Sequence, residues 1–228
     1  MKKIATLLAM LTLCVASTAF AANQVRISQV YGGGGASSGT PTYTNDYVEI
    51  FNSGATSVDI SGWTIEYGSA TGNWGSSSAN IFTFPSGSSI APCSYVLVSG
   101  AAGTAGGALP VTADYSGTFN ASATSGKFAL FNAVNTNLAC GSELAGTLVD
   151  KIAYGTATCS EGTVCGGLTT TSGAVRNLGG MTDTDNNASD FTVTTSPVPH
   201  NKNSATNPNC SVVPTRTSTW GAIKSIYR

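Results

Sequence analysis

The chain is poor in charge, in histidine and in long apolar runs, and each shortage excludes a class of protein. Charged residues make up only 9% of the 228 residues, and the formal net charge is −1. An electrostatic nucleic-acid binder needs clustered Lys and Arg, so the sequence carries no strong nucleic-acid signal. The longest uncharged apolar run is about a dozen residues, whereas a transmembrane helix needs roughly 20. No transmembrane segment is therefore predicted.

The N-terminus has the pattern of a secretory signal peptide. Lys2 and Lys3 form a positive region, residues 4–15 are apolar, and residues 19–21 form a small-residue cleavage site. Cleavage near Ala21 predicts a signal peptide over residues 1–21 and a chain that is secreted or held at the cell surface. Without the two lysines the net charge becomes −3, and solubility must come from Ser, Thr, Asn and Gly.

An odd number of cysteines remains after the signal peptide. An extracellular setting favours disulfides, so at least one thiol is free or pairs between chains. Cys159 and Cys165 are close enough in sequence to staple one loop, but the sequence does not choose among the pairings. A zinc site is weakly supported, because there is no C-x2-C pair and only one histidine. The remaining cysteines are Cys93, Cys140, Cys159, Cys165 and Cys210.

Short β-rich runs separated by turn residues dominate the chain. In the second of them Val48 and Ile50 share one face and Glu49 takes the other, which is the period of a strand. No run before residue 215 has a helical period, so the pattern predicts an antiparallel sandwich or barrel. The predicted strands are residues 25–31, 46–52, 57–60, 63–67, 81–84, 95–99, 127–131, 148–154, 174–178 and 190–194.

Two C-terminal segments depart from this pattern. Residues 196–214 hold four prolines among Asn, Ser and Lys, a composition that predicts a linker with little buried surface. Residues 215–228 carry Trp220 and Ile223 at helical spacing and form an amphipathic tail. That tail is either a sorting or docking tag or a short helix against the domain. Residues 22–195 are left as the β-sandwich domain.

Six short sequence motifs follow one another along the chain, at residues 27–35, 45–52, 58–65, 125–130, 149–155 and 183–191. Taken together, their order and spacing resemble the bacterial branch of the lamin tail domain family. The resemblance implies an all-β, immunoglobulin-like antiparallel β-sandwich of lamin-tail type. It also implies a secreted or surface domain that serves binding or tethering, with no catalytic residues to carry over.

The titratable residues give little support for an enzyme. The single histidine, His200, lies in the predicted linker and is interpreted as a solvated residue. Glu49 and Glu66 are the candidates for a glycosidase-type pair, but their alternation with apolar neighbours turns them towards solvent. Trp63 is expected to fill space between the sheets rather than to stack on a ligand. No catalytic residue is predicted.

One acidic loop is a candidate metal site. Ca²⁺ takes several oxygen ligands, and alternate Asp and Asn side chains in a loop supply them. The glycine and the distal glutamate of an EF-hand are missing. The alternative is that these side chains cap a turn by bonding its backbone. The residues are Asp183, Asp185, Asn187 and Asp190, and no other cofactor is predicted.

The favoured function is a non-catalytic extracellular module that binds, adheres to or tethers a cell-surface protein or polysaccharide. The alternative is a structural cell-surface protein that self-assembles through edge strands or the odd cysteine. A hydrolase or nuclease accessory ranks third. The glycine run of residues 32–35 is read as a flexible inter-strand loop and not as a phosphate cradle, because no helix opens after it.

Overall fold

The computed structural model describes residues 24–211, which form a two-layer β-sandwich. The strands are β1 (Val25–Tyr31), β2 (Asn45–Asn52), β3 (Val58–Asp59), β4 (Thr64–Ser69), β5 (Ile81–Thr83), β6 (Ser89–Ile90), β7 (Tyr95–Ala102), β8 (Tyr115–Ser116), β9 (Gly126–Phe131), β10 (Leu148–Tyr154), β11 (Ser172–Arg176) and β12 (Phe191–Thr195). Single helical turns, α1 (Asn177–Gly180) and α2 (Asn187–Asp190), lie between the last two strands.

Two sheets face each other across the core. The larger has the order β12-β11-β1-β2-β7-β8 and the smaller the order β10-β9-β4-β5, with β3 and β6 as a separate short pair. All pairings are antiparallel except that of β7 with β8. The predicted all-β antiparallel sandwich is thereby confirmed.

The core lies between the inner faces of the two sheets. Val48 and Ile50 of β2 are fully buried there, as the alternation predicted, and Phe128 and Leu130 face them from the smaller sheet. Trp63, expected between the sheets, is only partly buried at the margin of this core. The fully buried tryptophan is Trp74, which covers Ala129 and Phe131 on the outer side of the smaller sheet.

The outer faces of both sheets are also covered, which corrects the prediction for two glutamates. Glu49 and Glu66 do point away from the core, yet both have 0% exposure. Residues 196–211, here called the C-terminal strap, lie against Glu49 on the larger sheet. The loop of residues 132–147, the cover loop, lies against Glu66 on the smaller sheet. A period of two assigns a side chain to a face, but it does not reveal that the face is covered.

The glycine run is a close crossing of chains rather than a flexible loop. A Cβ on Gly34 would lie 2.1 Å from the backbone of Asn45, and one on Gly35 would lie 2.1 Å from Gly103. Gly35 also has a φ of +63°, which L side chains rarely adopt. Glycine is therefore required where this loop passes β2 and the end of β7.

Two disulfides tie the long loops to the sandwich. Cys93 bonds Cys210 and so fastens the C-terminal strap, while Cys140 bonds Cys159 and fastens the cover loop. The suggested Cys159–Cys165 staple is wrong, because Cys165 is buried with a free thiol. The two disulfides indicate an oxidising extracellular environment.

The described region contains no helix long and apolar enough to cross a membrane. The predicted signal peptide of residues 1–21 and the predicted tail of residues 215–228 lie outside the described residues. The part of the predicted linker that is described, residues 196–211, packs on the sandwich through the Cys93–Cys210 bond and through Asn207, which is 2% exposed.

Candidate functional site

A bulge in β1 opens the site by taking one peptide group out of the sheet ladder. The register of β1 on β2 shifts between Ile27 and Gln29, so Ser28 is an extra residue. The ladder between β1 and β11 pairs only Gln29 and the residue after it. The backbone groups of Ile27 therefore turn to side chains: its N–H donates to Asp150 Oδ2 at 2.6 Å, and its carbonyl accepts from Arg176 Nε at 2.7 Å.

Arg176 and Asp150 complete this clamp with a buried ion pair. Arg176 Nη2 lies 2.6 Å from Asp150 Oδ2, and the two side chains are 0% and 4% exposed. Arg176 is on β11 of the larger sheet and Asp150 is on β10 of the smaller one, so the pair links the layers. Arg176 Nη1 donates to Asp183 Oδ1 at 3.2 Å and lies 3.7 Å from Asp190 Oδ2. The guanidinium also stacks over the ring of Phe191 at 4.4 Å.

An acidic pocket opens beside the clamp. Carboxylate oxygens of Asp150, Glu161 and Asp183 all lie within 4.8 Å of one another. With Asp185 they line a polar cavity of about 190 Å³, which Arg26 also borders. This volume exceeds the roughly 30 Å³ that one water occupies in the liquid several-fold. The cavity therefore has room for a hydrated ion or the end of a basic side chain.

Glu161 is a partly buried carboxylate of the acidic pocket. Its Oε2 accepts from the side-chain amide of Asn187 at 3.3 Å, and no described cation pairs with it. The pKa of Glu161 is raised to about 8: burial is the largest cause and the negative charge of Asp150 adds to it, whereas the positive charges of Arg176 and Lys151 oppose the shift. A cation bound in the pocket would oppose this shift, because a nearby positive charge favours the ionised carboxylate.

The four residues of the predicted calcium loop divide between two roles. Asp190 accepts from the N–H and the hydroxyl of Thr184 at 2.9 and 2.7 Å, and Asn187 bonds the backbone of β10 at Ala153. The bonds of Asp190 are the turn capping that was the alternative interpretation, whereas the bond of Asn187 ties the turn to β10. Asp183 and Asp185 line the acidic pocket instead. The calcium hypothesis stays a prediction. The carboxylates that lie near Asp183 as candidate ligands are those of Asp150 and Glu161.

A second polar cluster surrounds Glu49 under the C-terminal strap. Ser28 Oγ donates to Glu49 Oε1 at 2.5 Å, and Glu49 Oε2 accepts from the backbone N–H of His200 at 2.5 Å and lies 3.2 Å from its Nδ1. The imidazole stacks on Tyr95 with ring centroids 4.5 Å apart. His200 is thus held against the sandwich and does not lie in a free linker, although 40% of its side chain is exposed. The carboxylate lies between the hydroxyl and the imidazole, whereas a nucleophilic triad places the imidazole between the other two groups.

A third cluster joins two cysteines to Glu143 near Trp74. Ligand atoms of Cys140, Glu143 and Cys159 lie within 4.8 Å of one another. The two sulfurs are bonded to each other, and a metal needs thiolates. Glu143 Oε1 instead accepts from the indole N–H of Trp74 at 2.7 Å. This cluster therefore fastens the cover loop.

A family model described as Lamin Tail Domain matches residues 18–156. Among solved structures the chain is similar to the crystal structure of a DUF4876 family protein from Bacteroides thetaiotaomicron VPI-5482, with 13% identity and a TM-score of 0.55. That match covers 78% of this chain and 72% of the other, and at this identity it shows the fold alone. No curated protein matches the chain. Asp150 lies inside the matched range, whereas Glu161, Arg176 and Asp183 follow it.

Proposed function

The chain belongs to the lamin tail domain family, and from this premise we propose that it is a non-catalytic binding or tethering module of the extracellular space. Its partner in this proposal is a cell-surface protein or polysaccharide. The acidic pocket is the part of the module that receives a positively charged group. Ca²⁺ is the first choice for that group, because the pocket offers only oxygen ligands.

The observation that carries the proposal is the convergence of Asp150, Glu161 and Asp183 at an open cavity. Like charges this close disfavour one another, so at least one stays protonated until a cation enters. Arg176 compensates Asp150 and Asp183 but leaves Glu161 without an ion-pair partner among the described residues. A divalent ion, or the ammonium or guanidinium of a ligand, supplies the missing positive charge.

The cluster at Glu49 supports a non-catalytic role. Both of its oxygens are engaged in holding Ser28 and the C-terminal strap, and the order of the three groups does not let His200 take a proton from the hydroxyl. The cluster therefore holds the C-terminal strap on the larger sheet. The acidic pocket, in contrast, faces solvent.

The test is thermal unfolding of the full chain with and without CaCl2. A site of the strength of extracellular calcium modules, with Kd of about 0.1–1 mM, adds roughly 1.4–2.7 kcal/mol at 10 mM Ca²⁺. For a domain of this size, that corresponds to a rise in Tm of about 3–10 °C. Glu161→Gln keeps the shape and the contact with Asn187 but removes the charge, and we expect it to lose most of this rise.

Asp59→Asn is the matched control, because Asp59 is an exposed carboxylate on β3 outside the acidic pocket. It should keep the calcium response of the unmodified protein. A parallel titration with N-acetyl-arginine amide separates a metal site from a pocket for basic side chains. If neither cation shifts Tm, or if both variants respond equally, the acidic pocket is not the binding element.

A further inference from the structure

Strand β12 ends the larger sheet without a partner on its outer side. Its only neighbour in the sheet is β11, and among the described residues no further backbone bond reaches residues 192–195 from another strand. These four residues are all exposed. The strand contains no charged residue and no proline, which are the features that usually protect an edge.

The other edges within the described region are protected. β8 has only two residues, and β5 has three and is followed two residues beyond its end by Pro85. The free side of β10 is occupied by the side chain of Asn187, which bonds Ala153 N–H and the Lys151 carbonyl, and by the backbone of Cys165. β12 is the long and unprotected edge of the described sandwich.

Exposed apolar side chains accompany this edge. Three of the five large hydrophobic residues that the described region exposes are Leu178, Val193 and Val198, at 62%, 39% and 59%. Val193 lies on β12, Val198 follows three residues after its end, and Leu178 follows Asn177, whose side chain accepts from Thr192. Val193 in particular gives the edge strand itself an exposed apolar side chain, which an interface would cover.

We propose that β12 pairs antiparallel with β12 of a second copy of this chain, so that the two larger sheets become one. Val193 is opposite Ala174 of the core, so Val193 lies on the inner side of the sheet and Thr192 and Thr194 lie on the outer side. A two-fold axis normal to the sheet places the inner faces of both copies on the same side of the joined sheet. Residues that lie opposite each other across the contact therefore come from the same face.

The register centred on Val193 is the one that pairs the whole strand. It sets Val193 opposite Val193 of the other copy and Thr192 opposite Thr194. Cross-strand Thr–Thr pairs and β-branched pairs are favourable, and no like charges meet. A small net charge adds little long-range repulsion between copies. The strand is thus complementary to itself, which a two-fold contact requires.

The test is sedimentation of the full chain from micromolar to millimolar concentration. We expect a reversible monomer–dimer equilibrium. Thr192→Lys/Thr194→Lys sets Lys opposite Lys at two places and should weaken the dimer at least tenfold. Thr192→Lys/Thr194→Glu uses the same positions but sets Lys opposite Glu, so it should dimerise far better than the double lysine variant.

Val134→Lys is the control for an added charge, since Val134 is 48% exposed on the cover loop; it should dimerise like the unmodified protein. Hydrogen exchange on the unmodified chain needs no variant: the amides of Val193 and Thr195, which alternate with those directed at β11, should gain protection only at high concentration. A chain that stays monomeric throughout, a double lysine variant that dimerises normally, or a dimer that reductant dissociates would each overturn the proposal. None of these results bears on calcium binding at the acidic pocket.

Discussion

Arg176 holds the two layers together from a position with no exposed surface. Removing a guanidinium and a carboxylate from water costs several kcal/mol per ion, and only close geometry with further hydrogen bonds offsets that cost. Here the donors of Arg176 meet Asp150, Asp183 and the carbonyls of Ile27 and Thr182. The ion pair therefore fixes the position of β10 against β1 and β11, and its net contribution to the free energy of unfolding is small.

Replacing Arg176 with Met should lower the free energy of unfolding by about 3–5 kcal/mol, because Asp150 would stay buried without a counter-charge. Arg176→Lys should also be costly, since an ammonium does not reproduce the planar fork. Urea denaturation measures both. Lys202→Met is the control, because Lys202 is exposed and its loss should change stability by less than about 0.5 kcal/mol. A loss below about 1 kcal/mol for Arg176→Met would contradict this account.

Glu161 should give the protein a characteristic pH dependence. Its pKa is raised to about 8 in the folded state, above the value of roughly 4.3 in an unfolded chain. The folded state therefore binds the proton more tightly, and this stabilisation is complete below about pH 4.3 and is lost as pH rises through 8.

Glu161→Gln should remove this contribution, so the stability of the variant should fall less between pH 5 and 8 than that of the unmodified protein. Calcium affinity of the unmodified protein should rise over the same interval, because binding displaces the proton. Chemical denaturation and calorimetric titration at several pH values measure the two trends. Parallel pH profiles for both proteins would contradict the assigned pKa.

The acidic pocket could be predicted only in part from the sequence. In β10, Asp150 has the same parity as the core residues Ile152 and Tyr154, so the alternation places a carboxylate on the buried face. Such a group needs a buried partner, and this was a usable signal. The local sequence does not identify Arg176 as the partner of Asp150 or Glu161 as its neighbour. The β1 bulge and the packing of the two sheets bring these residues to Asp150.

At the scale of elements, the cover loop encloses a small second core. Trp74 is fully buried against Ala129 and Phe131, and its indole N–H donates to Glu143 within the loop. Asn135 of the loop donates its backbone N–H to the buried Glu66 at 2.8 Å. The Cys140–Cys159 disulfide anchors the loop, so the environment of Trp74 reports on that bond.

Replacing both Cys140 and Cys159 with Ser should lower the free energy of unfolding by about 3 kcal/mol, since the bond closes a loop 19 residues apart in sequence. The emission of Trp74 should shift to longer wavelength as the cover loop opens. Fluorescence with and without Trp74→Phe in the same background isolates this residue from the other tryptophans. Unchanged emission would mean that the other contacts suffice to close the loop.

The strands themselves were well predicted, and the reason is local. β1 and β10 match their predicted ranges, because each segment contains its own apolar alternation and is flanked by turn residues. β6 and β8 were missed, since two residues are too few to show a period. The burial of Glu49 and Glu66 was missed because distant segments, the C-terminal strap and the cover loop, lie over them.

At the scale of the whole molecule, the C-terminal strap closes the larger sheet. The hydroxyl of Tyr43 donates to the Pro197 carbonyl at 2.7 Å, Gln29 donates to the Val198 carbonyl at 3.0 Å, and Asn207 donates to the carbonyls of α1. Proline and asparagine suggested a linker, but here they supply a chain of fixed shape with polar groups. The strap buries outer-face residues that would otherwise be exposed.

Protonation of His200 should tighten the C-terminal strap at acid pH. The hydrogen bond with Glu49 raises the pKa of His200 above its usual 6.5, with burial opposing it. A raised folded pKa gives stability that is fully present below about pH 6.5 and is lost as pH rises through the folded value. His200→Ala should therefore destabilise most at pH 5 and least at pH 8, as measured by thermal unfolding. A deficit that grows with pH would reverse this assignment.

The pairing of the first described strand with the eleventh has a kinetic consequence. Gln29 is opposite Val175, so β11 and β12 join the larger sheet only after two segments far apart in the sequence have met. Chains dominated by such distant pairings fold slowly, over milliseconds to seconds, because loop-closure entropy must be overcome before the contacts form. Oxidative refolding should accordingly join Cys140 to Cys159, 19 residues apart, well before it joins Cys93 to Cys210, 117 residues apart.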